Sequence, residues 1–202
     1  MNAVLLYLTD SMADWETGYV TGGLAFANEE QPRFGFLTVA ENTEPVSTMG
    51  GVRLLPDITL ADVDPADIAL LVLPGAQTWE SGHDQALDLA EKLIAAGRHV
   101  AAICGATLGL ARRGLLDERA HTSNAPEFLT AAPEYKGQAH YRAERAVTDG
   151  PVITAGGTAP LEFAREVFAT LQAFPPDVLA AWYGLYSTGE QRYFEQLTGA
   201  GS

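Results

Sequence analysis

Short apolar runs alternate along the chain with stretches whose apolar positions recur at helical spacing. Ala3–Leu8, Arg33–Ala40, Ile68–Leu73, Val100–Cys104 and Val152–Ala155 are brief, rich in Val, Leu, Ile or Ala, and flanked by turn residues. Continuous apolar runs of this length predict strands buried on both faces, as in a parallel sheet. Trp15–Ala27, Gln85–Ala96, Ala106–Arg113 and Leu161–Leu171 carry the helical pattern. The alternation predicts an α/β fold: a mostly parallel central sheet with helices on both faces. Val46–Thr48 and Val52–Leu55 around Gly50-Gly51, and Arg142–Val147 and Val152–Ala155 around Asp149-Gly150, read as hairpins. Arg119–Ser123 reads as a further strand. Pro175-Pro176 stops the Leu161–Leu171 helix, and Val178–Tyr186 and Glu190–Leu197 read as a helical extension on the same single domain.

Composition agrees with one such domain. Of 202 residues, 47% are hydrophobic and 19% charged, enough apolar material for a substantial core. The balance of 12 Lys+Arg against 26 Asp+Glu gives −14. That charge repels phosphate backbones and anionic membranes, so neither nucleic acid nor a membrane is expected as a partner. The apolar Ala3–Leu8 follows no basic residue, and the longest apolar run, Val178–Tyr186, is far too short to span a bilayer. A cytoplasmic protein is expected. One cysteine in the chain excludes an internal disulfide and a Cys-rich metal site, so no metal is expected.

In such a sheet the binding crevice lies at the carboxyl ends of the strands. The turn after the first strand, Thr9 to Glu16, contains no glycine, and no phosphate-binding G-x-x-x-x-G-K-[ST] occurs. No nucleotide cofactor is expected. Pro74-Gly75-Ala76 follows the third apolar run, and Cys104-Gly105-Ala106 follows the fourth, with a helix starting at once. A strand that turns directly into a helix strains its corner residue and lifts that side chain into the crevice. The helix amino end favours thiolate there, and its free N–H groups suit an oxyanion. An isolated cysteine is more often buried filler; its place at the corner is what singles out Cys104. With Asp14 capping the first helix, Glu16 falls in that helix's first turn, at the same edge as Cys104 and Gly75.

Histidine does not complete this picture. His99 lies at the amino end of its strand, and His121 falls about 10 Å below the crevice rim. His83 reaches the crevice only if the loop after Gly75 folds inward, as a group to orient substrate, and His140 has no assigned place. Structural roles are the expectation for all four, as core or interface packing is for Trp79, Trp182 and Tyr183.

Trp15-Glu16, Leu73-Pro74-Gly75-Ala76, Ala101-Ala102-Ile103-Cys104-Gly105, Thr122-Ser123-Asn124 and the stretch from Val147 to Glu162 occur in an order that resembles the ThiJ/PfpI superfamily. This is the flavodoxin-like group related to the glutaminase domains of class I glutamine amidotransferases. The resemblance runs from Ala3 to about Leu171. It implies a three-layer sandwich with Cys104 as the elbow nucleophile, Glu16 as the acid bonded to its sulfur, and Gly75 and Gly105 as oxyanion amides. Members include proteases, amidases, glyoxalase or deglycase-like enzymes and redox-responsive proteins, usually as dimers or larger, so a homodimer is expected. Two departures stand out. Where many members carry a histidine after the strand that follows the elbow helix, this chain has Asn124. Where protease-like members place one after the cysteine, it has Gly105. Asn124, with Glu127 three residues on, reads as a helix N-cap that can also orient a substrate carbonyl.

Two functions follow as expectations. In the first, the chain is a cysteine-dependent hydrolase, amidase or glyoxalase-type enzyme acting on a small carbonyl or amide compound, with Glu16 moving the proton. In the second it is a non-catalytic redox sensor or oxidative-stress protein whose Cys104 is oxidised to sulfinate.

Overall fold

The computed structural model describes residues 3–29 and 32–199. Its sheet comprises seven strands in the order β5-β2-β1-β6-β7-β9-β8. These are β1 (Ala3–Tyr7), β2 (Gly35–Ala40), β5 (Ile58–Thr59), β6 (Ile68–Leu73), β7 (His99–Ile103), β8 (Ala146–Asp149) and β9 (Val152–Ala155). All neighbours pair in parallel except β8, which runs antiparallel to β9. A separate two-stranded ribbon joins β3 (Val46–Ser47) to β4 (Arg53–Leu54). This is the mostly parallel α/β arrangement that the periodicity implies, and the flavodoxin-like fold that the family resemblance implies.

Alternating strand side chains feed two cores. In β6, Leu71 and Leu73 face one layer while Leu70 and Val72 face the other, all fully buried. The first layer is closed by α2 (Asp84–Ala95) and α3 (Gly105–Arg112). Helix α2 buries Ala86, Leu87, Ala90, Leu93 and Ile94, the one-sided stripe of an amphipathic helix. The short α4 (Pro126–Leu129) adds Leu129 to this layer. The second is closed by α1 (Gly18–Ala27), α5 (Pro160–Leu171) and α6 (Pro176–Thr188). There Phe168 of α5 meets Phe174 and Trp182 edge-on, with centroids 5.2 and 5.0 Å apart. The final helix, α7 (Gln191–Thr198), buries none of its side chains. No helix among the described residues is long and apolar enough to cross a membrane.

Two expectations are corrected. The first helix begins at Gly18 rather than Trp15, and Asp14 does not cap it. The Asp14 carboxylate instead accepts from Thr48 Oγ1 at 2.5 Å and Gly50 N–H at 2.7 Å, tying the β1–α1 turn to the β3–β4 ribbon. Arg119–Ser123 is not a strand; it makes one isolated bridge, His121 to Tyr141. The outer edge of β9 is already taken by β8, and this segment is held by backbone bonds, His121 N–H to His140 O and Arg142 N–H to His121 O, and by side chains. Ala120 N–H donates to Asp149 Oδ2, and Thr122 N–H to Thr154 Oγ1.

The connection at Phe168 joins α5 to the tail. Phe168→Ala is expected to lower unfolding stability by about 3–5 kcal/mol, measured by urea denaturation, as for truncation of a fully buried aromatic.

Candidate active site

Neighbouring β1, β6, β7 and β9 end at the same edge of the sheet, and the turns that follow supply Glu16, Gly75, Cys104 and Gly157. Chain order reverses between β1 and β6, the switch point where an open α/β sheet leaves its crevice. Four segments far apart in sequence therefore meet around one sulfur.

Cys104 has φ 57° and ψ −121°, a left-handed conformation that costs a non-glycine residue about 1–3 kcal/mol. Both sides of the corner are fixed. Cys104 N–H donates to Ala155 O at 2.9 Å, and its carbonyl accepts from Thr107 Oγ1 at 2.6 Å. Because that hydroxyl proton is committed, Ser123 Oγ must be the donor in its 2.7 Å contact with Thr107 Oγ1. The side chain is partly exposed, so the sulfur opens to the crevice.

Glu16 lies beside it, completely buried, in the turn before α1 rather than in the helix. Its Oε2 accepts from Gly75 N–H at 2.6 Å, while Oε1 has no hydrogen-bond partner. Burial raises this carboxyl to about pH 7, against the pull of the Gly75 amide and the thiol. Burial also raises the Cys104 thiol, and the Glu16 charge adds to it, giving about 11; Asn124 and the Gly105 N–H pull the other way. The thiolate that the helix amino end was expected to favour is opposed here. The helix amino end is present, but desolvation and an adjacent carboxylate outweigh it.

Two glycines wall the pair. A Cβ on Gly75 would stand 2.6 Å from Cys104 Cβ and 2.7 Å from Glu16 Oε2; one on Gly157 would stand 2.8 Å from Cys104 Sγ. No side chain fits at either position without displacing the sulfur or the carboxyl. Gly75 is also corrected as an oxyanion donor, because its N–H is already bonded to Glu16.

Asn124 also faces the sulfur. It does not cap α4, whose N-cap is Ala125. Its Oδ1 accepts from Gly157 N–H at 2.8 Å, which fixes the amide orientation and directs Nδ2 at Cys104 Sγ, 3.3 Å away. Nδ2 and the Gly105 N–H are therefore the donors on the sulfur. Beyond Asn124 a cavity of about 550 Å³ opens between Thr122–Pro126, Tyr141–Arg145 and Gly156–Ala159.

No histidine is among the hydrogen-bond partners of Cys104. His83 is buried and bonded through both ring nitrogens, to Tyr7 OH at 3.0 Å and Thr78 Oγ1 at 2.9 Å, and stacks on Trp79. It anchors the loop after Gly75 instead of facing substrate, which corrects its reading as an orienting group. His121 is bonded to Arg119 O and Tyr135 OH, and His99 lies at the amino end of β7. Trp79 and Trp182 are core residues, and Tyr183 OH donates to Glu162 Oε1. Gly157 and the clamping role of Asp14 were missed in the sequence. The Gly156-Gly157 pair after a strand was the available signal for the first.

A strained cysteine at a strand–helix corner, paired with a buried carboxyl from the first turn, defines the elbow-cysteine class of flavodoxin-like proteins. The chain belongs to the DJ-1/PfpI family, whose pattern it matches over residues 2–170. It is 40% identical over 199 residues to the uncharacterized protease YoaZ of Bacillus subtilis, covering 96% of this chain and 95% of that one. A solved ThiJ/PfpI family protein from Bacillus anthracis has a TM-score of 0.93 at 40% identity, covering 98% of this chain and 97% of that one. The glutathione-independent glyoxalase DJR-1.2 of Caenorhabditis elegans is a more distant relative. It is 26% identical over 139 residues, covering 67% of this chain and 73% of that one.

The raised carboxyl links the site to stability. A buried carboxyl whose pKa is higher folded than unfolded stabilises fully below its ordinary value of 4.5 and loses that contribution as pH rises through about 7. Glu16→Gln keeps the shape without the charge. Its stability relative to the parent is expected to grow from near nothing at pH 4.5 to a gain of about 3 kcal/mol by pH 8, read from urea midpoints across that range.

Proposed function

We propose that the chain is a cysteine-dependent enzyme acting on a small carbonyl or amide compound, with Glu16 as the base that an imidazole supplies elsewhere. The observation that carries this is the Glu16–Cys104 pair: a carboxyl raised to about 7 beside a thiol raised to about 11. A base poised near neutrality accepts a proton efficiently at the moment of attack.

Cys104 Sγ adds to the carbonyl carbon while its proton passes to the unpartnered Glu16 Oε1. The carbonyl electron pair moves to oxygen, which takes hydrogen bonds from the Gly105 N–H and Asn124 Nδ2. With a 2-oxoaldehyde the first product is a hemithioacetal, the oxygen recovering a proton. Glu16 then carries the proton of that carbon to the neighbouring one through an enediol, and water hydrolyses the resulting thioester to a 2-hydroxy acid and the free thiol. With an amide the intermediate expels the amine, protonated by Glu16, and leaves a thioester that water hydrolyses. The two relatives named protease and glyoxalase fit these two outcomes of one first step. The redox reading calls on the same Glu16–Cys104 pair, and turnover of a substrate separates the two.

Turnover of small 2-oxoaldehydes and simple amides tests this reading. Cys104→Ser is expected to lower kcat/KM about a thousandfold or more on whichever substrate is turned over. Full turnover by that variant contradicts the mechanism. In the parent, kcat/KM rises with pH through a midpoint near 7, where Glu16 becomes a base. Glu16→Gln removes that step and lowers the value at pH 8 by about a hundredfold.

A further inference from the structure

Trp15 is 53% exposed although it adjoins the buried Glu16. Its Nε1–H donates to Gly157 O at 3.0 Å, bridging the β1–α1 turn to the turn after β9 across 142 positions of sequence. Gly157 is the residue pressed against Cys104 Sγ, so this bond ties the indole to the residue that walls the sulfur. Its backbone is held on both sides. Asp14 is clamped to the β3–β4 ribbon, and Glu16 is bonded to Gly75. An indole fixed in this way, with its polar atom satisfied and its face open, gains from being covered and loses little freedom when it is.

The surroundings favour an uncharged occupant. The residues against the sulfur are Glu16, Gly75, Gly157, Gly105 and Asn124, none of them a cation. On the neighbouring loop, the Arg145 guanidinium is committed to Glu162 at 2.8 Å and to Thr158 O at 2.6 Å.

We propose that Trp15 is a specificity-determining wall. The site takes carbonyl or amide compounds that carry an aromatic group next to the reacting carbon, and that ring stacks on the indole while the carbon meets Cys104 Sγ. This rests on the reading of Cys104 as the reacting group.

The test needs no turnover, because Cys104 is the only thiol and intact mass reports its alkylation alone. The parent, Trp15→Ala and Trp15→Phe are each treated with allyl bromide and with benzyl bromide, which carries its ring on the reacting carbon. The ratio of the two rate constants is divided by the ratio for free cysteine. In the parent the corrected ratio exceeds one. Trp15→Ala lowers it about three- to tenfold, the range expected from one aromatic contact, and Trp15→Phe restores it. A corrected ratio at or below one in the parent, or one that Trp15→Ala leaves unchanged, overturns this inference alone. No alkylation of Cys104 by either reagent overturns the reading beneath it, and the inference with it.

Discussion

Burying the carboxyl of Glu16 against the sulfur of Cys104 is the constraint from which the rest of the site follows. A carboxylate removed from water needs a donor, and Gly75 N–H supplies one at 2.6 Å. That contact requires the chain after β6 to pass close enough that only glycine fits. Desolvation by burial is what lifts the carboxyl to about 7, against the Gly75 hydrogen bond. The strained corner at Cys104 is in turn held by Ala155, Thr107 and Ser123, which fixes the sulfur beside the carboxyl. The energy stored at the corner and in the buried acid is supplied by the two apolar layers around the sheet.

Seen this way, the absence of histidine is a different solution to the same problem. An imidazole needs little environmental tuning to titrate near 7; a carboxyl must be desolvated to do so. Asn124 then has one task, and its geometry fixes it. With Oδ1 on the Gly157 N–H, only the NH₂ group faces the sulfur. An asparagine so oriented donates a hydrogen bond and cannot take the thiol proton; in the proposed mechanism that step falls to Glu16.

Much of this was legible in the sequence because periodicity and turn chemistry are local. The strands at Ala3, Ile68, Val100 and Val152, the elbow at Cys104 and the convergence of Glu16 and Gly75 all follow from short windows. What was not legible depends on contacts between windows. Asp14 resembles a helix cap until the β3–β4 ribbon supplies Thr48 and Gly50 as better partners. Arg119–Ser123 has a strand's composition, but the edge of β9 beside it is already occupied by β8, and it makes only an isolated bridge to Tyr141. The direction of the Cys104 shift was misjudged for the same reason. A helix amino end is visible in sequence, whereas the burial that outweighs it is set by Gly75, Gly157 and Glu16 arriving from elsewhere.

The central claim is that Glu16 is a carboxyl kept neutral by burial until the pH nears 7. Carbon-13 NMR of the protein labelled at glutamate carboxyls, with Glu16 assigned by comparison with Glu16→Gln, measures this directly. The account predicts a titration midpoint near 7 for Glu16. A midpoint in the ordinary carboxyl range, near 4.5, would contradict it.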